Sequence, residues 1–142
     1  MNAKPLFGEV ALINDKLKFS CTVPERPPVT VDYAPPLGDG EGIMSLELFL
    51  MSLSTCFGST LKYLITNRLQ KEVNALSITV SGTRRKDHPT SFETVRLEVH
   101  LDAPGVAGDA LTEVTATARK ICPVAAMLND TVEVTIEYRQ KP

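Results

Sequence analysis

Two cysteines in unlike surroundings are the residues of this chain best suited to chemistry. Cys56 lies inside SLELFLMSLSTCFGSTLKYLITNRL, residues 45–69, whose first half is almost unbroken apolar. Cys122 directly precedes Pro123 in ARKICPVAAML. A thiol is a nucleophile only as its thiolate, and an apolar setting raises its pKa, so a reactive cysteine there needs a cation beside it. Either cysteine can equally be a small core residue, since free Cys is among the most buried residue types. Spacing alone leaves both readings open. The third, Cys21, alternates with polar residues alongside Leu17, Phe19 and Val23, which puts it on the apolar face of a strand as a core residue.

Other chemistry is poorly served. His88 falls in a turn and His100 on the polar side of a strand, neither with a partner at metal-ligand spacing, and there is no CxxC, so no metal site is expected. No G-x-S-x-G occurs, which argues against a hydrolase of that type. The glycines of APPLGDGEGIM, residues 34–44, suggest a phosphate loop, but no Lys-Ser/Thr follows and the intervening charges are acidic. That segment reads as a mobile turn leading into a helix.

Length and composition set the frame. A chain of 142 residues is one domain by size, with 43% hydrophobic and 23% charged residues, as in ordinary globular proteins. A formal charge of −2 provides no basic stripe for nucleic acid. The first residues lack the apolar run of a signal peptide. The longest uncharged run, Leu48–Leu61, contains five Ser and Thr and is shorter than the about 20 residues of a membrane span. An odd number of cysteines without a secretion signal points to a reducing cytoplasm and free thiols.

The elements that must position the thiols follow from periodicity. Three short strands are expected at 7–13, 16–23 and 29–33, with a turn at Asn14-Asp15 and a break at Pro24, Pro27 and Pro28. A long helix starts near Ser45, with Glu47 in its first turn, and is expected to reach about Lys71. It is apolar on nearly every side from Leu46 to Phe57, so it must be covered all round. In a chain this short, a second subunit is the natural source of that cover. A hairpin of strands at 75–84 and 91–101 follows, with Val95, Leu97, Val99 and Leu101 on one side and Arg96, Glu98 and His100 on the other. A helix over 109–121, carrying Leu111, Val114 and Ala118, breaks at Cys122-Pro123. A short helical piece at 124–128 and a strand at 131–138 complete an α+β order of βββ-α-ββ-αα-β. At about 100° per residue, the helix face carrying Cys56 also carries Ser45, Phe49, Ser52, Ser59, Thr60 and Tyr63, a partly polar strip that suits a pocket lining or close helix packing.

SLELFLMSLSTCFGSTL resembles the central-helix motif of the OsmC/Ohr family, the osmotically inducible and organic hydroperoxide resistance proteins, and ARKICPVAAML resembles that family's second cysteine motif. The element order fits too, so the resemblance covers nearly the whole chain as a single OsmC-like domain, 1–142. It implies an α+β OsmC-like fold built as an intertwined homodimer with two active sites at the subunit interface. It also implies a thiol peroxidase in which Cys56 attacks organic hydroperoxides and becomes a sulfenic acid. Cys122 would then resolve it into a disulfide that an external dithiol reduces, with no metal or organic cofactor.

The family's peroxidases activate the first cysteine with an Arg from the N-terminal strands, held by a Glu ten residues before the cysteine. Here position 46 is Leu. The candidates for that pair are Glu47, nine residues before Cys56, and Arg26, the one Arg preceding it. The S-x-E-L form is similar to the OsmC-like branch of the family. The alternative function is therefore a non-catalytic OsmC-like dimer that binds a small apolar or electrophilic ligand at the interface. A purely structural dimer is the third reading.

Overall fold

The computed structural model describes residues 3–139. The chain divides into two compact units, Met1–Phe49 and Leu50–Pro142, with the boundary inside the long helix.

In the first unit, β1 (Glu9–Leu12), β2 (Phe19–Thr22) and β3 (Val29–Val31) form an antiparallel sheet in chain order. The strands are shorter than alternation predicts because the turn consumes their ends. The Asn14 side-chain oxygen accepts the backbone N–H groups of Lys16 (3.0 Å) and Lys18 (3.1 Å), an Asx turn that keeps Lys16–Lys18 out of the ladder. Cys21 is half-buried rather than buried, and Val10, Leu12, Ile13 and Val29 are exposed, so much of this sheet's apolar surface is open in the single chain.

The loop after β3 corrects the expectation of a mobile turn. Asp32 is fully buried, and its carboxylate accepts N–H groups from Tyr33 (2.8 Å), Asp39 (3.2 Å) and Glu41 (3.1 Å). Burial pushes the Asp32 pKa up, but those backbone donors and the nearby Lys18 outweigh it, and the net direction is down. Gly38 is required at its place because a Cβ would come within 2.8 Å of the Tyr33 nitrogen. Gly40 has φ +69°. Lys16 and Lys18 reach from the β1–β2 turn to Asp39 (2.7 Å) and Glu41 (2.6 Å).

Helix α1 (Ser45–Tyr63) continues as a π-helical turn, Leu64–Arg68. It ends before Lys71 because Gln70 takes φ +54°, a left-handed conformation that stops the helical ladder. Together these 24 residues pass a test of length and composition for crossing a bilayer, a test that the core helix of a folded domain also passes. Leu53, Phe57, Leu61, Leu64 and Ile65 are nonetheless almost wholly buried, as in the core helix of a folded domain. Cover is incomplete in the single chain: Met51 and Tyr63 remain exposed.

In the second unit, β4 (Ala75–Arg84) and β5 (Phe92–Asp102) pair antiparallel, as their patterns predict. The last strand, β6 (Glu133–Arg139), joins β5 in parallel after a crossover through α2 (Gly108–Ile121) and α3 (Pro123–Ala126). Val95, Leu97 and Val99 of β5 and Val114 and Ala118 of α2 are core residues. The opposite sheet face is ionic: Arg96 pairs with Glu137 (2.5 Å), and Glu98 is shared by Arg96, His100 and Arg139. The Thr115 hydroxyl donates its one proton to the Leu111 carbonyl (2.6 Å), so the 2.6 Å contact with Tyr138 is donated by the phenol and pins β6 to α2.

Candidate functional site: a thiol pair at the helix corner

Cys56 sits in mid-helix on α1, half-buried between the buried Leu53 and Phe57. Cys122 is the joint of the α2–α3 corner and has no exposed surface. Its N–H donates to the Ala118 carbonyl (3.0 Å), closing α2, and its carbonyl accepts the Ala126 N–H (2.9 Å), opening α3. Pro123 at the first position of α3 has no N–H to satisfy, which is why the break falls here. The Cys122 sulfur accepts the Ala125 N–H at 3.5 Å.

The two thiols are near enough to interact. Burial pushes the Cys122 thiol up from its ordinary value, the Ala125 N–H works against that, and Cys56 raises it further by hydrogen bond and by charge. A fully buried thiol held protonated beside a half-buried, more accessible one is a suitable geometry for forming a reversible disulfide. Residues 66 positions apart in the sequence are brought together by α1 and the α2–α3 corner.

The polar strip around Cys56 behaves differently from a pocket lining. The hydroxyls of Ser59 and Thr60 donate to carbonyls four residues back, Thr60 to Cys56 itself at 2.8 Å, so these donors are spent on the helix backbone. Ser54 does the same on the far side of the helix. Tyr63 points to solvent, 64% exposed. A cavity of about 380 Å³ does lie along α1, but Met51, Ser54, Thr55 and Gly58 line it with Leu76 and Ile78 of β4, and Cys56 is absent from its wall.

Arg26 and Glu47 both belong to the first unit, where each is engaged with nearby backbone. Arg26 is exposed and donates to the adjacent Glu25 carbonyl (3.0 Å). Glu47 accepts the Met44 N–H (2.9 Å), capping the start of α1. No hydrogen bond or ion pair joins them to one another. Among the described residues, no group of three His, Cys, Asp or Glu is arranged to hold a metal ion. Sequence reasoning missed Asp32; its visible signal was an acidic residue closing an apolar strand just before a Pro- and Gly-rich run.

An α+β chain with a paired thiol at a helix corner defines a class that comparison makes specific. The family described as OsmC-like protein matches residues 38–137, and the chain belongs to that family. The fold is shared with the OsmC-like protein of Mycoplasma pneumoniae at 17% identity, covering 98% of this chain and 99% of that one, with a TM-score of 0.83. An organic hydroperoxide resistance protein OsmC from Legionella pneumophila matches at 16% identity, 97% and 98% coverage and a TM-score of 0.75. The organic hydroperoxide resistance protein OhrB of Bacillus subtilis matches at 16% identity, 96% and 98% coverage and a TM-score of 0.67. Among curated proteins, none matches this chain in sequence.

Proposed function

We propose that this chain serves in peroxide resistance, as a thiol-dependent reductase of organic hydroperoxides. The observation that carries the reading is the thiol pair, one member half-buried and the other fully buried with its pKa raised. The Cys56 thiolate attacks the terminal oxygen of ROOH. The O–O bond breaks, its electron pair leaves with the alkoxide, which takes a proton to become ROH, and Cys56 becomes a sulfenic acid. The Cys122 sulfur then attacks Cys56 sulfur; hydroxide leaves and takes the Cys122 thiol proton as water. An external dithiol reduces the disulfide, becoming oxidised itself. Such a cycle needs a compartment that supplies dithiol, consistent with the cytoplasm. It needs no cofactor. The open apolar face of the β1–β3 sheet and the exposed Met51 and Tyr63 of α1 support a homodimer as the working form.

One observation favours a second reading. Arg26 and Glu47 are both taken up by nearby backbone, which suits a non-catalytic dimer binding a small apolar or electrophilic ligand. Stopped-flow mixing of reduced protein with cumene hydroperoxide separates the two. The peroxidase reading expects rapid loss of Cys56 thiol and a Cys56–Cys122 disulfide by peptide mass mapping. Thiols that survive many minutes of excess peroxide would reject it in favour of the second.

A further inference from the structure

We propose that the groove between α2, α3 and β6 binds a free single-chain amphipathic monocarboxylate, at a site separate from the thiol pair. The groove has a volume of about 790 Å³, within the range of roughly 300–1,000 Å³ typical of small-molecule sites. Helix α2 is two-faced: Val114 and Ala118 enter the core, while Thr112, Thr115, Ala116, Arg119 and Lys120 form a second face that walls the groove. Opposite them, Val134 and Ile136 of β6 supply an apolar floor, continued by Ala126 and Leu128. The wall is fixed in place rather than loose. Arg85 donates to the Thr131 carbonyl, Asn129 accepts the Thr131 N–H (2.9 Å), and Tyr138 holds β6 to α2 through Thr115.

Charge selects the ligand class. Among the described residues that line the groove, Arg119 and Lys120 carry two positive charges against the single negative charge of Asp130, a surplus of one positive charge. A monoanion matches that surplus better than a dianion, and both cations keep their heads near water while their stems extend the apolar wall. A carboxylate meeting the planar Arg119 guanidinium, with an acyl chain along Ala116, Leu128, Val134 and Ile136, satisfies both parts of the lining. Neither Cys56 nor Cys122 lines the groove, so the proposal does not depend on peroxide chemistry.

Calorimetric titration of the full chain with decanoate, decanol and butyrate tests it. Decanoate is expected to bind saturably at one per chain, with decanol and butyrate each about tenfold weaker or worse. The doubly substituted Arg119→Gln, Lys120→Gln chain, altered only at exposed positions, should lose about tenfold for decanoate and nothing for decanol, with its reaction at Cys56 unchanged. Ala116→Leu should weaken both by filling the groove from its α2 wall. Equal binding of decanoate and decanol, indifference of decanoate to the double substitution, or no binding at all would overturn the proposal. So would a dimer that Ala116→Leu converts to monomer in sedimentation, since the groove would then be a subunit contact.

Discussion

Replacing Cys122 by Ala separates the packing role of this residue from its proposed chemistry. The side chain has no exposed surface, so removing its sulfur costs both transfer and cavity terms. The transfer term is about that of one methylene, roughly 0.8 kcal/mol. A void of about 25–30 Å³ left unfilled adds roughly 0.6–0.7 kcal/mol at about 24 cal/mol per Å³. Loss of the 3.5 Å Ala125 N–H contact adds little, because a thiol sulfur is a weak acceptor. The total, about 1.5 kcal/mol, should lower Tm by about 5 °C for a chain of this size. The chemistry should fail far more completely. The variant should consume one equivalent of cumene hydroperoxide, hold Cys56 as a sulfenic acid that dimedone traps, and turn over with dithiol at least tenfold more slowly. Calorimetry and a peroxide consumption assay on one preparation read both effects. Undiminished turnover in a chain that melts only a few degrees lower would remove Cys122 from the mechanism. A loss of stability several times larger would instead refute the packing account.

Three further outcomes follow from the same geometry. The Asp32 pKa is lowered on folding, so its ionised form stabilises the folded state above the ordinary carboxylate value of about 3.9, and this is lost as pH falls through the lower folded value. Asp32→Asn should flatten the acid limb of the urea-unfolding profile and speed amide exchange at Asp39 and Glu41, whose N–H groups it binds; an acid limb identical to the parent's would count against it. Tyr138→Phe removes the phenol's bond to Thr115 and should cost about 1 kcal/mol by denaturant unfolding, with a neutral result showing that water replaces the bond freely. Gly82→Ala places a Cβ in steric overlap with the Phe92 ring and should cost about 1–3 kcal/mol, while a variant as stable as the parent would mean that the ring moves aside without strain.

How much of this was legible in the sequence depended on whether a signal was local. Alternation located β5 nearly to the residue because it has one buried and one ionic face, and β4 because half-buried Leu76, Ile78 and Val80 alternate with exposed Ala75, Ser77 and Thr79; the Cys-Pro pair marked the α2–α3 corner because Pro can open a helix but not continue one. Strand ends in the first sheet were misjudged because Asn14 spends its side chain on a turn, an effect that hydrophobic periodicity does not register. The parallel pairing of β6 with β5 is set by the crossover, and no residue of β6 encodes it alone.

The loop at 34–44 carries the larger lesson. Its Gly and Pro content reads as freedom, yet those residues are there because a buried carboxylate gathers three N–H groups into a space too tight for a Cβ at Gly38. The thiol site shows the reverse. Its two cysteines were visible in the sequence, but the hydroxyls that suggested a polar lining turn back onto the helix, and Arg26 and Glu47 are spent on backbone groups near them. A cation that stabilises a Cys56 thiolate could come from within the same chain or from a second copy of it. Peroxide reactivity that rises with protein concentration, in step with the dimer fraction measured by sedimentation, would identify the second source. Reactivity independent of concentration across the monomer–dimer transition would leave only the first.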